Sequence, residues 1–246
     1  MGAIFLNLFE FDFYVQVCDI SSKNALTNYG ILRMMQESAC MHSDTLGISI
    51  NYMDTVPYTW LLINWQLEVY SRPRWKSKLH VKTWPSRQDK LYAYRDYELT
   101  DENGNIVAKA SSKWIFININ THSIEKMSDD IAKLYKPENI TVFDNDIEKL
   151  KEPKEQDKIS FYKISKRDVD TNNHANNLSY IQIAYECLPD DVYESEPDKM
   201  TVLYKKECRL GDDVACIYTK TSLNEHFVTI KSKDLSTLHC IVKFSI

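Results

Sequence analysis

An α+β architecture, with a helix laid against an antiparallel sheet and the whole plan built twice, is what this sequence predicts. Two observations lead to it. A helix-period stretch is followed by several strand-period stretches, and the same order returns after residue 157. The two runs also align at one offset. Setting Asn28 on Asn177 gives 177 − 28 = 149, which places Leu32 on Ile181, Glu37-Ser38 on Glu186-Cys187 and Asp19 on Asp168. A chain of 246 residues with 43% hydrophobic content can bury two cores of roughly 120 residues each.

Taken in order, the opening MGAIFLNLFEFDFYVQV alternates like a first strand; with Glu10 and Asp12 and no basic leader, it is not expected to be a signal peptide. Residues 28 to 47 read as a helix: Ile31, Leu32, Met34, Met35 and Ala39 make a wide apolar face, and Gly47 can end it. Strand patterns follow at Thr59 to Trp65 and around Leu79, Val81 and Thr83. Leu91 to Thr100 and Ile106 to Asn118 read as a hairpin closed by Asp101-Glu102-Asn103-Gly104. Between His122 and Asp157 charges dominate, as in Glu148-Lys149-Leu150-Lys151-Glu152-Pro153, which suits a solvated, partly helical connector. The expected domains are 1–125, a linker over 126–157, and 158–246. In the second domain a strand near Ser160 to Ser165 leads through a polar loop into a helix from Asn176 to Leu188. Strands follow at Met200 to Cys208, Val214 to Thr221, His226 to Lys231 and Leu238 to Ile246.

Composition removes several classes. The formal net charge is −5 and there is no long Lys/Arg run, so no nucleic-acid partner is expected. No run of about 18 apolar residues is present, so no transmembrane helix is expected. The six cysteines (18, 40, 187, 208, 216 and 240) form no CxxC pair and read as reduced thiols in a cytoplasmic protein. His42, His80, His122, His226 and His239 show no ligand spacing, which argues against a metal. Gly-x-Gly-x-x-Gly, Walker and Gly-x-Ser-x-Gly patterns are lacking, so no cofactor is expected and an α/β-hydrolase mechanism loses support.

The densest polar cluster runs from Asp168 through Asn177, where the second helix begins. Asn and Asp are good helix caps, so part of it must be structural. Asp170, Asn172 and His174 at alternate positions exceed what a cap needs, and in an extended loop alternate residues point the same way. A carboxylate, an amide and an imidazole would then converge at a helix N-terminus, whose N–H groups favour developing negative charge. Residues alone leave this balanced against capping.

Asp-x-Asp-x-Asn-x-His-x-Asn-Asn over 168–177, followed by Leu178-Ser179-Tyr180-Ile181, closely resembles the signature of the plant and bacterial acyl-acyl carrier protein (acyl-ACP) thioesterases. Tyr204-Lys205-Lys206-Glu207-Cys208 resembles a second segment of that family. First-half blocks agree: Tyr70-Ser71-Arg72-Pro73-Arg74-Trp75 with Val81-Lys82-Thr83-Trp84, Ala110-Ser111-Ser112-Lys113-Trp114, and Met35-Gln36-Glu37-Ser38-Ala39. The resemblance implies two tandem hotdog domains, each a long central helix wrapped by an antiparallel sheet. It implies hydrolysis of fatty acyl-ACP to free fatty acid and holo-ACP, with acyl carrier protein as partner and no membrane insertion. It leaves open a monomer or a homodimer. Asp170, Asn172, His174 and Glu207 match the family's catalytic positions, and Cys208 matches one once read as the nucleophile.

Two mechanisms then compete. Cys208 attacks with His174 as base, or a carboxylate activates water while Asn172, His174 and helix N–H groups hold the carbonyl oxygen. The second fits better, because adjacent residues in a predicted strand face opposite ways and Glu207 and Cys208 would not share a pocket. At the offset of 149, Asp170, Asn172 and His174 fall on Ser21, Lys23 and Ala25, so one catalytic centre is expected per chain. The first half is expected to supply the acyl pocket, with Met34, Met35 and Met41 either lining it or serving as ordinary core. Arg72, Arg74, Lys76 and Lys78 read as a solvated strand edge, with steering of an acidic carrier as the other reading. An acyl-CoA hydrolase and a non-catalytic acyl-binding hotdog protein are the rivals.

Overall fold

The computed structural model describes residues 7–49, 52, 55–89, 91–171 and 173–246. Two compact units emerge: Met1–Ile63 with Val69–Asp146, and Asn64–Glu68 with Ile147–Ile246. The first contains β1 (Phe9–Tyr14), α1 (Asn28–Thr45), the two ends of β2 (Tyr58–Val69), β3 (Lys78–Gln88), β4 (Tyr92–Asp101), β5 (Ile106–Asn118), β6 (Ser123–Ile124) and α2 (Asp129–Leu134). The second contains β7 (Lys158–Lys163), α3 (Asn177–Glu186), α4 (Asp190–Glu194), β8 (Lys199–Tyr204), β9 (Asp213–Lys220), β10 (Glu225–Ser232) and β11 (Leu238–Ser245).

In the first unit the strand order is β1-β3-β4-β5, with β6 on β5. The β4–β5 hairpin pairs Tyr92 with Ile115 and turns through Gly104 at φ +80, a left-handed conformation that glycine adopts without a Cβ clash. α1 lies against β3 and β1. Its Ile31, Leu32, Met34 and Met35 are fully buried, each worth about 1.5–3 kcal/mol relative to exposure. Met41 is only partly buried. Thr27 caps the helix by accepting from the Gly30 N–H at 3.0 Å. The end is a Schellman arrangement: Ile48 N–H donates to Ser43 O and Gly47 N–H to Asp44 O, both at 2.9 Å, with Gly47 at φ +78.

In the second unit the order is β8-β11-β10-β9-β7, all antiparallel, and Asn64–Glu68 of β2 pairs with β8. α3 lies against β10 and β11. Its buried Tyr180, Ile181, Ile183 and Ala184 complete a core with Val228, Ile230, Cys240, Val242 and Phe244. The period-2 pattern of the last strand thus puts its apolar side inward. α3 ends at Glu186 rather than Leu188, because Pro189 excludes its predecessor from the helical region and cannot donate an N–H. Each unit is a helix on an antiparallel sheet, the hotdog layout, with 18 residues in α1 and only 10 in α3.

The charged connector is largely exposed but anchored. In the first unit Trp84 Nε1–H donates to Ile140 O at 2.9 Å, and Val142 N–H donates to the buried Asp96 carboxylate at 2.8 Å. In the second unit Leu150 is buried, Glu148 pairs with Lys243 at 3.0 Å and Glu152 with Lys231 at 2.7 Å. Both lysines are themselves largely covered, which raises the worth of these pairs above that of free surface ion pairs.

Candidate active site

Both units enter their main helix through the same loop, backbone bond for backbone bond. Ser21 N–H donates to Ala25 O at 2.8 Å, and Asp170 N–H to His174 O at 2.9 Å. Thr27 N–H donates to Asp19 O at 2.9 Å, and Asn176 N–H to Asp168 O at 2.8 Å. Asn24 at φ 56 matches Asn173 at φ 59, left-handed positions that asparagine tolerates well. The buried Asp19 and Asp168 play one role: Gln16 N–H donates to Asp19 Oδ2 at 3.0 Å, and Ser165 N–H to Asp168 Oδ2 at 2.7 Å. All these pairs stand 149 apart.

A second loop is duplicated as well. Lys76 N–H donates to Val15 O at 3.0 Å and Gly211 N–H to Ile164 O at 2.9 Å; Leu26 N–H donates to Pro73 O at 3.0 Å and Ala175 N–H to Cys208 O at 2.9 Å. Here the offset is 211 − 76 = 135. Subtracting one copy from the other separates frame from chemistry. The frame keeps its backbone bonds in both units, so those bonds belong to folding. Among the side chains that change are Ser21 against Asp170, Ala25 against His174, Arg72 against Glu207 and Pro73 against Cys208.

In the second unit these changes bring an imidazole and a carboxylate together. His174 Nδ1 lies 3.1 Å from Glu207 Oε2, with side chains 28% and 46% exposed. That leaves Nε2 and the other carboxylate oxygen as the free working atoms. Asp170 sits opposite His174 in a tight turn, inside the Val169–Ala175 bridge. The loop is therefore a hairpin-like turn, not the extended segment expected from alternation. Asp170 and His174 share a side because opposed residues do. Asn172 lies outside the described residues.

Two further expectations need correction. Glu207 and Cys208 are not in a strand, since β8 ends at Tyr204. The chain beyond it is pulled into a loop by Lys205 N–H donating to His239 O at 2.8 Å, by His239 Nδ1 at 2.8 Å from Lys206 O, and by Cys208 N–H donating to Tyr180 Oη at 2.7 Å. Glu207 is nevertheless exposed while Cys208 is 0% exposed, and burial pushes the Cys208 thiol up to about 11. Nor are the N–H groups of α3 all free: Leu178 N–H donates to Asn176 Oδ1 and Ser179 N–H to Asn176 O, both at 2.9 Å.

Three residues of this site had no role in the sequence reading. Tyr180 holds the Cys208 peptide, Tyr204 Oη–H donates to Asn177 O at 2.9 Å, and His239 holds the Glu207 loop. The two tyrosines pack edge-on at 5.8 Å. Both stand within the quoted motifs, which was their only signal. Among the described residues no group of three or more His, Cys, Asp or Glu side chains is gathered for a metal. No helix there is long and apolar enough to cross a membrane.

Residues 7–135 match the acyl-ACP thioesterase N-terminal domain and residues 151–243 the acyl-ACP thioesterase C-terminal domain. The oleoyl-acyl carrier protein thioesterase 1 of Arabidopsis thaliana is 28% identical over 229 residues, 85% of this chain and 63% of that protein. This chain therefore spans less than two thirds of that relative's length. In structure it is similar to an acyl-ACP thioesterase from Bacteroides thetaiotaomicron (TM-score 0.87, 21% identity, 97% of each chain). It is similar also to the 12:0-ACP thioesterase from Umbellularia californica (TM-score 0.89, 19% identity, 99% of this chain and 98% of that one). At these identities the two structures establish the double-hotdog fold, and the two domain matches establish descent: the chain belongs to the acyl-ACP thioesterase family.

Proposed function

We propose that this protein hydrolyses fatty acyl-ACP thioesters in the cytoplasm, releasing free fatty acid and holo-ACP, and that Glu207 and His174 carry the chemistry. One observation carries the proposal: the 3.1 Å His174–Glu207 contact is set on a loop frame whose copy in the first unit holds Ala25 and Arg72 instead. Folding alone does not require the pair. The six cysteines, all free, support a reducing compartment.

Glu207 draws a proton from water, and the oxygen of that water adds to the thioester carbonyl carbon. His174, with Nδ1 held against the Glu207 carboxylate, offers Nε2–H to the carbonyl oxygen as charge develops there. The tetrahedral intermediate collapses, the carbon–sulfur bond breaks, and the proton held by Glu207 passes to the leaving sulfur. Asn172 enters as a second donor on its motif position alone, and Asp170 as a positioning residue for His174. Cys208 is a buried packing residue whose peptide shapes the Glu207 loop.

Release of free thiol from a panel of acyl-ACPs and acyl-CoAs tests this. Wild type should cleave ACP esters, and Glu207→Gln and His174→Ala should each lose roughly 10²–10⁴-fold in kcat. Cleavage of CoA esters alone would move the substrate to acyl-CoA. No cleavage of either would leave an acyl-binding protein.

A further inference from the structure

The duplicated frame singles out one place in the first unit that catalysis does not explain. Lys76 and Gly211 occupy the same turn with the same backbone bonds, at φ +68 and φ +91. Glycine adopts this left-handed conformation freely, while any residue with a Cβ adopts it at a cost. The second unit takes the relaxed choice. The first keeps a lysine there, at a backbone cost that a glycine would not carry.

The surroundings indicate a use for that lysine. Lys76 Nζ stands 4.4 Å over the Trp75 ring, and Trp75 is 49% exposed. Trp75 N–H donates to Asn24 Oδ1 at 3.2 Å, which ties this turn to the exposed Lys23–Asn24 loop. Lys76 N–H bonds to Val15 O, which ties the turn to the chain between the exposed Tyr14 (62%) and Val17 (68%). Arg74 is exposed on the same turn. Two nearby acids are engaged: Asp19 is buried against Arg33 at 2.8 Å, and Asp12 pairs with Lys78 at 2.7 Å. Arg72, Arg74 and Lys76 do not lie on the expected strand edge, since β3 begins only at Lys78 and the stretch before it is this presented loop. On a chain of net charge −5, it is a local basic patch centred on an exposed tryptophan.

We propose that the Arg74–Trp75–Lys76 turn, flanked by Lys23, Tyr14 and Val17, is a docking surface for the acidic face of the acyl carrier protein. Tryptophan and arginine are the residues that anchor protein interfaces, and basic side chains around them speed encounter with an acidic partner. The inference rests on the carrier-protein reading above and assigns it a surface.

The test is direct binding of holo-ACP by titration calorimetry, beside kcat/KM for acyl-ACP and acyl-CoA. Lys76→Gly suits the turn, so its melting temperature should equal or exceed that of wild type. It should weaken ACP binding about fivefold and flatten its salt dependence, while Trp75→Ala weakens it about 30-fold. Hydrolysis of acyl-CoA should be unchanged in both. ACP binding within twofold of wild type in both variants, or a parallel fall in acyl-CoA turnover, would overturn the docking surface. So would a wild type that binds anionic vesicles and not ACP. Because holo-ACP binding needs no turnover, a chain that binds ACP through this turn yet cleaves nothing would refute the thioesterase reading and uphold the docking surface.

Discussion

Replacing Cys208 by alanine should cost stability and leave turnover almost untouched. With its thiol near 11, Cys208 is at pH 7.5 ionised in only roughly 3 molecules in 10,000, against roughly 3 in 100 for a thiol at the ordinary 9.0. The thiolate is the nucleophile, so burial, reinforced by Asp212 and partly offset by Tyr180, withdraws about 100-fold of the reactive species. The side chain is 0% exposed, and deleting its sulfur leaves a small cavity worth about 1 kcal/mol. That corresponds to a melting temperature lower by about 2–4 °C. Cys208→Ser should lose more, about 1–3 kcal/mol, because it buries a hydroxyl. Thiol release at saturating acyl-ACP, with guanidinium unfolding run in parallel, separates the two effects. The Ala variant should keep kcat within twofold. A folded Cys208→Ala enzyme with kcat down 100-fold, or an acyl group trapped on Cys208 by mass spectrometry, would refute the reasoning.

Other perturbations follow from the same frame. A Cβ at Gly30 would stand 2.8 Å from Asp19 Cβ and 2.9 Å from Asp19 O; Gly30→Ala should therefore lose about 2 kcal/mol in thermal unfolding, and a neutral or stabilising result would show that α1 can shift away from the loop. The carboxyl of Asp168 is raised by burial but lowered more by donors from Ser165 and Tyr162, and its net pKa lies below 3.8. A depressed carboxylate stabilises the fold above its unfolded pKa and loses that contribution as pH falls through the folded one. Asp168→Asn should thus lose about 2–4 kcal/mol at pH 7, with a deficit that shrinks below about pH 4; an equal deficit at both pH values would contradict this role.

Much of this was legible in the sequence because it is local or repeated. The offset of 149, read from Asn28 and Asn177, carries Asn24 onto Asn173 and Thr27 onto Asn176 with matching backbone bonds. The Leu238–Phe244 alternation gave β11, and Gly47 ended α1 as a left-handed cap should. Asp170 and His174 stand out in the polar cluster before the second helix, Glu207 comes from motif resemblance, and the structure brings His174 and Glu207 together from 33 residues apart (207 − 174). What stayed hidden depends on distant partners. Tyr204 to Cys208 has strand composition, yet Tyr180 and His239 bend it out of the sheet. Glu148 and Glu152 read as solvent-facing charges because Lys243 and Lys231, their partners, lie 95 and 79 residues away. Asp168 matched Asp19 in sequence, but only the hydrogen bonds show that it holds the loop rather than reacts.

The measurement closest to the centre of this account is kcat for acyl-ACP in Glu207→Gln, which keeps the shape of the side chain and removes its charge. Glu207 is 46% exposed and outside the core, so stability should change by less than about 0.5 kcal/mol. We predict a loss of at least about 100-fold in kcat with KM little changed, the mark of an interaction made in the transition state. A folded Glu207→Gln enzyme retaining kcat within fivefold of wild type would contradict it.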